Sequence, residues 1–289
     1  MVFSEKNITC LDILVFVFAV AIGSCAKNQF FYIPFLIAML IPFLENSSCK
    51  EKKIILFLLL LIQVFSVVCI KYSQSSTNIN KYHSTYFGAA IMAKNKGLNL
   101  KNIIDYECIG IDAWGSKYDF DEGAIRTNLN TFCYDKYGND GFKKTLKIYT
   151  SYPTLLIFML NDDGIANQFK SNYFHVYKNK KLIVNKSSCF TTFLDDIKDN
   201  LNEKLKVFFP LVIFCVVIIF NGFKKNKEIF LLFLIFYSQI YMSFLGEGYR
   251  DLSKHLFLAN LCLDFMVVIL IWLGIKKLSR DSVGLFSHH

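Results

Sequence analysis

Residues 54–70 decide the fold, and they read IILFLLLLIQVFSVVCI between Lys52–Lys53 and Lys71. This stretch contains no charged residue. A helix of about 20 apolar residues is long enough to cross the hydrocarbon core of a bilayer. Soluble domains of this length spread their apolar residues along the chain instead of gathering them in blocks. The stretch therefore predicts a membrane-spanning helix.

Five further apolar blocks occur in the chain of 289 residues, which is 54% hydrophobic: 13–25, 30–44, 207–220, 229–245 and 255–275. Three of these blocks, 13–25, 30–44 and 207–220, need flanking residues to reach spanning length. Pro34 and Pro42 make the second block a candidate for a kinked or re-entrant segment. The fold class predicted is an all-α polytopic membrane protein with about six transmembrane helices and one small α+β external domain.

Three lysine clusters fix the predicted orientation. They lie between blocks two and three, between blocks four and five, and after block six: Lys50, Lys52 and Lys53; Lys224, Lys225 and Lys227; Lys276, Lys277 and Arg280. Short loops rich in Lys and Arg face the cytoplasm. We expect a plasma (inner) membrane protein with both termini cytoplasmic, three helices in residues 1–71, an extracytoplasmic domain in 72–206 and three helices in 207–289.

The polar segment 72–206 is long enough to build a small core. Helical spacing of apolar residues predicts a helix over 82–94, and Gly, Asp and Asn predict loop over 109–139. A second amphipathic segment, 142–160, is interrupted by Pro153, and alternation predicts a hairpin over 173–184. Cys108 and Cys133 would form a bridge if this segment faces an oxidising compartment.

Several function classes are excluded by motif and charge. The net charge of +9 comes from lysines that flank apolar blocks, so no nucleic-acid partner is predicted and the bilayer explains the charge. The nine cysteines contain no CxxC pair and no zinc-like spacing. The sequence also has no P-loop, dinucleotide fingerprint or nucleophile elbow. We therefore predict no metal and no cofactor.

The densest polar cluster is GEGYRDLSKH, residues 246–255, which opens into the last apolar block. Asp251 and His255 are four residues apart and would share a helical face if a helix begins near Tyr249; Arg250 and Lys254 have the same spacing. Two cations could bind a phosphate, and a carboxylate beside His could act as an acid–base pair. The alternative is a solvated loop that caps a helix.

Other polar residues have both structural and functional interpretations. His83 follows the third block and could meet the Glu247 loop in space, although a lone His near an interface is more often structural. Asn260 and Asp264 lie inside the last block, where unpaired ionisable groups cost about 3 kcal/mol or more, so both should face the bundle interior. Asp162-Asp163 favours a turn over a metal-binding or phosphosugar-type acidic pair, and Asp12 favours a flank or cap residue of its helix.

Three segments resemble large bacterial membrane hexosyltransferases of the GT-C type. GEGYRDLSKHLFLANLCLDFMVV (246–268) is similar to their acidic, glycine-containing loop and KHLFLFN-like helix start, and KYHSTYFGAAIMAKN (81–95) to their FHSVFYG-like run. Residues 149–156, with Tyr152-Pro153, resemble their HPxxLL helix. The chain looks like the C-terminal half of such a protein, because the first external loop, near 24–28, lacks the family's usual carboxylate.

The resemblance implies transfer of a sugar from a polyprenyl-phosphate donor outside the cytoplasm, in cell-surface glycan or polysaccharide biosynthesis. The catalytic candidates are then Glu247, Asp251 and His255. The substrate-binding candidates are Arg250, Lys254 and His83, and another membrane subunit is a candidate partner. The alternative is a non-enzymatic membrane protein whose external domain binds a partner, as an assembly or immunity factor would.

Overall fold

The computed structural model is mostly helical and describes residues 9–26, 30–43, 47–72, 77–119, 123–125, 130–140, 142–169, 200–201, 204–222 and 227–286. Its helices are Cys10–Cys25, Ile33–Leu40, Cys49–Tyr72, Thr77–Ser84, Ala90–Asn95, Phe132–Tyr137, Lys143–Ser151, Leu155–Phe158, Asp163–Asn167, Phe209–Asn221, Lys227–Glu247, Leu252–His255 and Phe257–Phe286. The hairpin predicted for 173–184 lies outside the described residues.

Three of the described helices are long and apolar enough to span a membrane: Cys49–Ile70, Lys227–Glu247 and Phe257–Lys277. The other three apolar blocks correspond to shorter apolar helices of 10–17 residues, Cys10–Cys25, Ile33–Phe43 and Lys206–Ile219. The prediction of a helical transmembrane protein is confirmed. Pro34 lies in the first turn of its helix, and a 3-10 turn containing Pro42 ends that block, which accounts for its short length.

The chain divides into two compact units. The first unit comprises Met1–Ser73, Pro210–Gln239 and Leu258–His289. Its N-terminal helices share a small buried apolar core of Val20, Ile37, Ile41, Ile55, Leu59 and Ile62. On the opposite side of the third helix, Leu60, Leu61 and Val64 are exposed, as expected of residues that contact lipid.

Some polar side chains inside the first unit pair with one another. Ser66 donates a hydrogen bond of 3.1 Å to the Ser24 hydroxyl, and Tyr32 donates one of 2.6 Å to Gln239 Oε1. Polar groups of this kind hold membrane helices together because hydrocarbon offers no other partner. Asp12 forms a capping box with Thr9, as predicted.

Asp264 departs from the sequence prediction. The expectation that it faces the bundle interior is wrong, because Asp264 is exposed while Asn260 is half-buried. The buried face of this helix is defined by Ala259, Leu263 and Met266, which recur every three or four residues. Asp264 follows Leu263 directly and is therefore rotated about 100° from that face.

The second unit comprises Gln74–Phe209 and Ile240–Phe257. The helix predicted for 82–94 is present but starts earlier, at Thr77, and a π-helical turn, Thr85–Ala89, interrupts it. The side chains on this turn are buried, and they include Tyr86 and Phe87. π-turns inside helices occur often at functional sites, which draws attention to the residues packed against this turn.

The described residues within 109–139 have more regular secondary structure than the predicted loop. They contain a short antiparallel hairpin of Lys117–Asp119 and Gly123–Ile125, and the helix Phe132–Tyr137. Cys108 is bridged to Cys133, which ties this region together across a sequence separation of 25 residues. The predicted break at Pro153 is confirmed, since Lys143–Ser151 ends there and Leu155–Phe158 begins after it.

Candidate functional site

The polar cluster found in the sequence lies entirely in the second unit, and its backbone turns sharply. The spanning helix Lys227–Glu247 ends at Glu247. Gly248 has a φ of 65° and Asp251 a φ of 49°, so both residues adopt a left-handed backbone conformation. A short helix, Leu252–His255, follows. A left-handed non-glycine residue is strained unless its surroundings hold it, and such strain is concentrated at functional sites.

Glycine is required where this turn meets the π-turn. A Cβ added to Gly88 would lie 2.7 Å from the Gly248 Cα, and one added to Gly248 would lie 2.5 Å from the carbonyl oxygen of Phe87. The Tyr249 N–H donates a hydrogen bond of 2.9 Å to that same oxygen. The two backbones therefore meet at a separation that only glycine permits.

Gln168 holds the other side of the turn. Its Nε2 donates to the Tyr249 carbonyl at 3.0 Å, and its Oε1 accepts from the Ser253 N–H at 2.9 Å. Gln168, Tyr249 and Leu252 are all buried. The segment 247–255 is thus a packed part of the second unit and not a wholly solvated loop.

Arg250 pairs with a buried carboxylate that the sequence did not single out. Its Nη1 lies 3.1 Å from Asp112 Oδ2, and the Asp112 side chain is fully buried. The other oxygen, Oδ1, accepts hydrogen bonds from the N–H groups of Trp114 and Ser116 at 2.9 and 2.7 Å. The Arg250 guanidinium also lies over the Trp114 ring, 4.9 Å from its centroid.

Asp251 lies between two cations. Lys254 Nζ is 3.3 Å from its Oδ1, and Arg250 Nε is 3.9 Å from its Oδ2. The Asp251 and Lys254 side chains are 41% and 61% exposed, so both reach solvent. Exposed ion pairs of this kind contribute little to stability.

His255 pairs with Glu247 and not with Asp251, in contrast to the spacing-based expectation. The His255 Nε2 contacts Glu247 Oε2, and Asn80 Nδ2 donates a 3.0 Å hydrogen bond to Glu247 Oε1. The expected pair is absent because Asp251 is left-handed and precedes the short helix instead of lying within it. The structure therefore forms a largely buried carboxylate–imidazole pair from the candidates Glu247 and His255.

His83 does lie close to this segment, as the sequence suggested. It is buried, and its Nε2 accepts a hydrogen bond of 2.9 Å from the Ala113 N–H. Burial, together with the neighbouring Arg250, lowers the pKa of His83 to about 3. His83 is therefore neutral at physiological pH, and one of its two ring nitrogens is engaged by the backbone of the Asp112 turn.

The burial of two acidic residues was not predicted from the sequence, because it comes from tertiary packing. Asp112 is one, and Asp162 is the other. Asp162 caps the helix Asp163–Asn167, as its predicted turn role suggested, but it is buried. Burial raises the pKa of Asp162, and it also raises the pKa of the neighbouring Tyr249. No group of three or more His, Cys, Asp or Glu in the described part of the chain could hold a metal ion.

These features define a helical multi-pass membrane protein whose second unit contains a compact polar cluster. The chain belongs to the family described as the YfdI N-terminal transmembrane domain, whose family model matches residues 2–283. The resemblance found in the sequence implied a C-terminal half, whereas this family is described as an N-terminal domain.

One relative shares most of this chain. It is uncharacterized protein YfdI of Escherichia coli (strain K12), 36% identical over 287 residues, which are 97% of this chain and 64% of the relative. The chain thus spans less than two thirds of the relative's length. No solved structure matches this chain. The relative's name assigns no activity, so the function must be argued from the polar cluster.

Proposed function

We propose that the chain takes part in cell-surface glycan biosynthesis as a glycosyltransferase that uses a polyprenyl-phosphate-linked sugar. The observation that supports this most is the Asp251 carboxylate lying between Arg250 and Lys254. The proposal also draws on the resemblance of 81–95, 149–156 and 246–268 to GT-C hexosyltransferases. A lipid donor suits a chain of membrane-spanning helices, because its polyprenyl tail stays in the bilayer.

In this reaction an acceptor hydroxyl attacks the anomeric carbon of the donor sugar. The bond between that carbon and the phosphate oxygen breaks, and the electron pair leaves with the polyprenyl phosphate. Lys254 and the solvent-facing edge of Arg250 would bind the phosphate, whose charge rises as it leaves. Asp251 would accept the proton of the attacking hydroxyl as general base.

Glu247, His255 and His83 receive supporting roles in this proposal. Asn80 and His255 both bind the Glu247 carboxylate, so Glu247 and His255 would act together as a second acid–base pair beside Asp251. His83 was predicted to bind substrate. Because its Nε2 is engaged by Ala113, we assign it instead to positioning the Asp112 turn beneath Arg250.

We propose that the protein lies in the plasma membrane of a bacterium. Its second unit would then face away from the cytoplasm. The lysine clusters around 50–53, 224–227 and 276–280 support this orientation. The bridge between Cys108 and Cys133 also supports it, because disulfides persist in oxidising compartments.

The proposal is tested by replacing Asp251 with Asn and Lys254 with Met, then analysing the sugar composition of the surface glycan by mass spectrometry. Arg250 is avoided here because its loss would also leave the buried Asp112 unpaired. Asp163→Asn is the matched control, since Asp163 is another exposed carboxylate that pairs with a lysine, Lys206. We expect the surface glycan of cells with Asp251→Asn or Lys254→Met to lack one hexose. The glycan of cells with the control variant should retain it. Unchanged glycan in both site variants, at normal protein levels, would contradict the proposal.

A further inference from the structure

Trp114 combines high exposure with an unusually fixed backbone. Its side chain is 54% exposed, whereas Asp112, Ala113 and Ser116 around it are all buried. A tryptophan presents a large, rigid apolar surface on which a ligand can pack. Exposure of this ring beside a polar cluster therefore points to a ligand.

Three hydrogen bonds hold the backbone around Trp114. Asp112 Oδ1 accepts from the N–H groups of Trp114 and Ser116, and His83 Nε2 accepts from Ala113. Both acceptor atoms, Asp112 Oδ1 and His83 Nε2, belong to buried side chains. The ring is thus presented in a fixed orientation before any ligand arrives, which lowers the entropy lost on binding.

The same ring borders the proposed phosphate site. The Arg250 guanidinium carbon lies 4.9 Å from the Trp114 centroid, and the His83 ring lies 5.2 Å from it. In a polyprenyl-phosphate sugar, one oxygen atom joins the phosphorus to the anomeric carbon. A phosphate held at Arg250 and Lys254 therefore places the sugar ring directly beside those cations.

We propose that Trp114 is the platform on which the hexose ring of the lipid-linked donor stacks. One face of a pyranose carries several C–H groups, and these pack against the negative face of an aromatic ring. Trp114 is then a specificity-determining residue that distinguishes a sugar-bearing lipid phosphate from a bare one. This inference rests on the proposed function and adds the position of the sugar to it.

The competing role for an exposed tryptophan is to anchor the protein at the membrane interface. An anchor would act equally on every lipid ligand, because it does not contact the sugar. A platform would act only on the lipid that bears one. Paired ligands with and without hexose therefore separate the two roles.

The test uses the full chain in lipid nanodiscs with two radiolabelled probes, a polyprenyl-phosphate hexose and the polyprenyl phosphate alone. We expect Trp114→Ala to weaken binding of the hexose-bearing probe about tenfold more than binding of the bare phosphate, from loss of one stacked contact. Phe132→Ala is the matched control, since Phe132 is also an aromatic side chain with 54% exposure, and it should change neither affinity.

The chain has only two tryptophans, so Trp272→Phe leaves Trp114 as the single tryptophan emitter. Its emission should change more with the hexose-bearing probe than with the bare phosphate. If Trp114→Ala weakens binding of both probes equally, or of neither, the platform role of Trp114 is refuted. A phosphate site would still be supported if Lys254→Met weakens binding of both probes. If the unmodified protein binds neither probe, the proposed function itself fails.

Discussion

Arg250 and Asp112 form an ion pair in which Nη1 lies 3.1 Å from Oδ2 of a fully buried carboxylate. The other Asp112 oxygen is taken up by two backbone N–H groups. Arg250 also lies 3.9 Å from Asp251, through Nε. One side chain thus connects the core of the second unit to the exposed end of the polar cluster, and its structural and functional roles must be separated by experiment.

Replacing Arg250 with Met should destabilise the protein strongly. It leaves the Asp112 carboxylate buried without its cation, and breaking a buried pair in this way costs about 3–5 kcal/mol. Asp112→Asn in the same chain should recover part of that loss, because the neutral amide no longer needs a cation. Thermal unfolding of the four proteins of this double-mutant cycle in detergent measures the coupling.

Lys254→Met is the control for that cycle. Its pair with Asp251 is exposed, so its loss should change stability by no more than about 1 kcal/mol. An Arg250→Met protein as stable as Lys254→Met would show that the buried pair is not formed.

Alanine at Gly88 or Gly248 should disrupt the contact between the π-turn and the 247–255 segment. The added Cβ would lie 2.7 Å or less from backbone atoms, which cannot move aside as a flexible side chain can. Overpacking of this kind costs about 1–3 kcal/mol, and Gly248 has in addition a left-handed φ. Gly246→Ala is the control, since nothing lies within 4 Å of its added Cβ. Equal stability of all three variants would contradict the close approach.

His83 should make stability depend on pH. Its pKa is about 3 in the folded protein against an ordinary value of 6.5, because burial and Arg250 disfavour the charged ring. The folded state therefore holds fewer protons between those values. The contribution of neutral His83 to the free energy of unfolding is fully present above about pH 6.5. It falls as the pH is lowered through this window, by at most about 1.4 kcal/mol per pH unit.

The measurement compares unfolding midpoints of the unmodified protein and His83→Gln from pH 7.5 to 4.5. Glutamine can still accept the Ala113 hydrogen bond but does not titrate in this range. The contribution of other groups, such as the raised pKa of Asp162, is common to both proteins. Parallel pH profiles would show that His83 is not buried in a neutral form.

The orientation can be read by cysteine labelling in intact cells. Lys101→Cys, at an exposed position of the second unit, should react with a membrane-impermeant thiol reagent. Lys225→Cys, in the lysine-rich loop between blocks four and five, should react only after the cells are permeabilised. The opposite pattern would place the polar cluster in the cytoplasm.

Most of the helical framework could be predicted from sequence because it depends on local composition. The blocks 54–70 and 229–245 lie within single helices, Cys49–Tyr72 and Lys227–Glu247. The role of Asp12 at the start of its helix follows a short-range rule in the same way. The length of an apolar block and the presence of a helix cap depend on residues that are close in sequence, so no tertiary information is needed to predict them.

The sequence was sufficient to locate the polar cluster but not to predict which of its side chains pair with one another. The spacing of Asp251 and His255 assumed one continuous helix, whereas the left-handed Asp251 breaks it and directs His255 to Glu247. The burial of Asp112 depends on two elements that are far apart in the chain, the helix that carries His83 and the turn that carries Arg250. The available signal was local, the run Asp-Ala-Trp-Gly in a turn-rich stretch.

Transfer of sugar by the protein itself is the most direct test of the proposed function. Membranes containing the unmodified chain are supplied with radiolabelled polyprenyl-phosphate hexose and the host's surface glycan, and label in the glycan fraction is counted. We predict label transfer that falls at least about tenfold in Asp251→Asn, consistent with loss of a general base, and stays unchanged in Asp163→Asn. Equal transfer by the unmodified protein, by Asp251→Asn and by membranes lacking the chain would contradict the account.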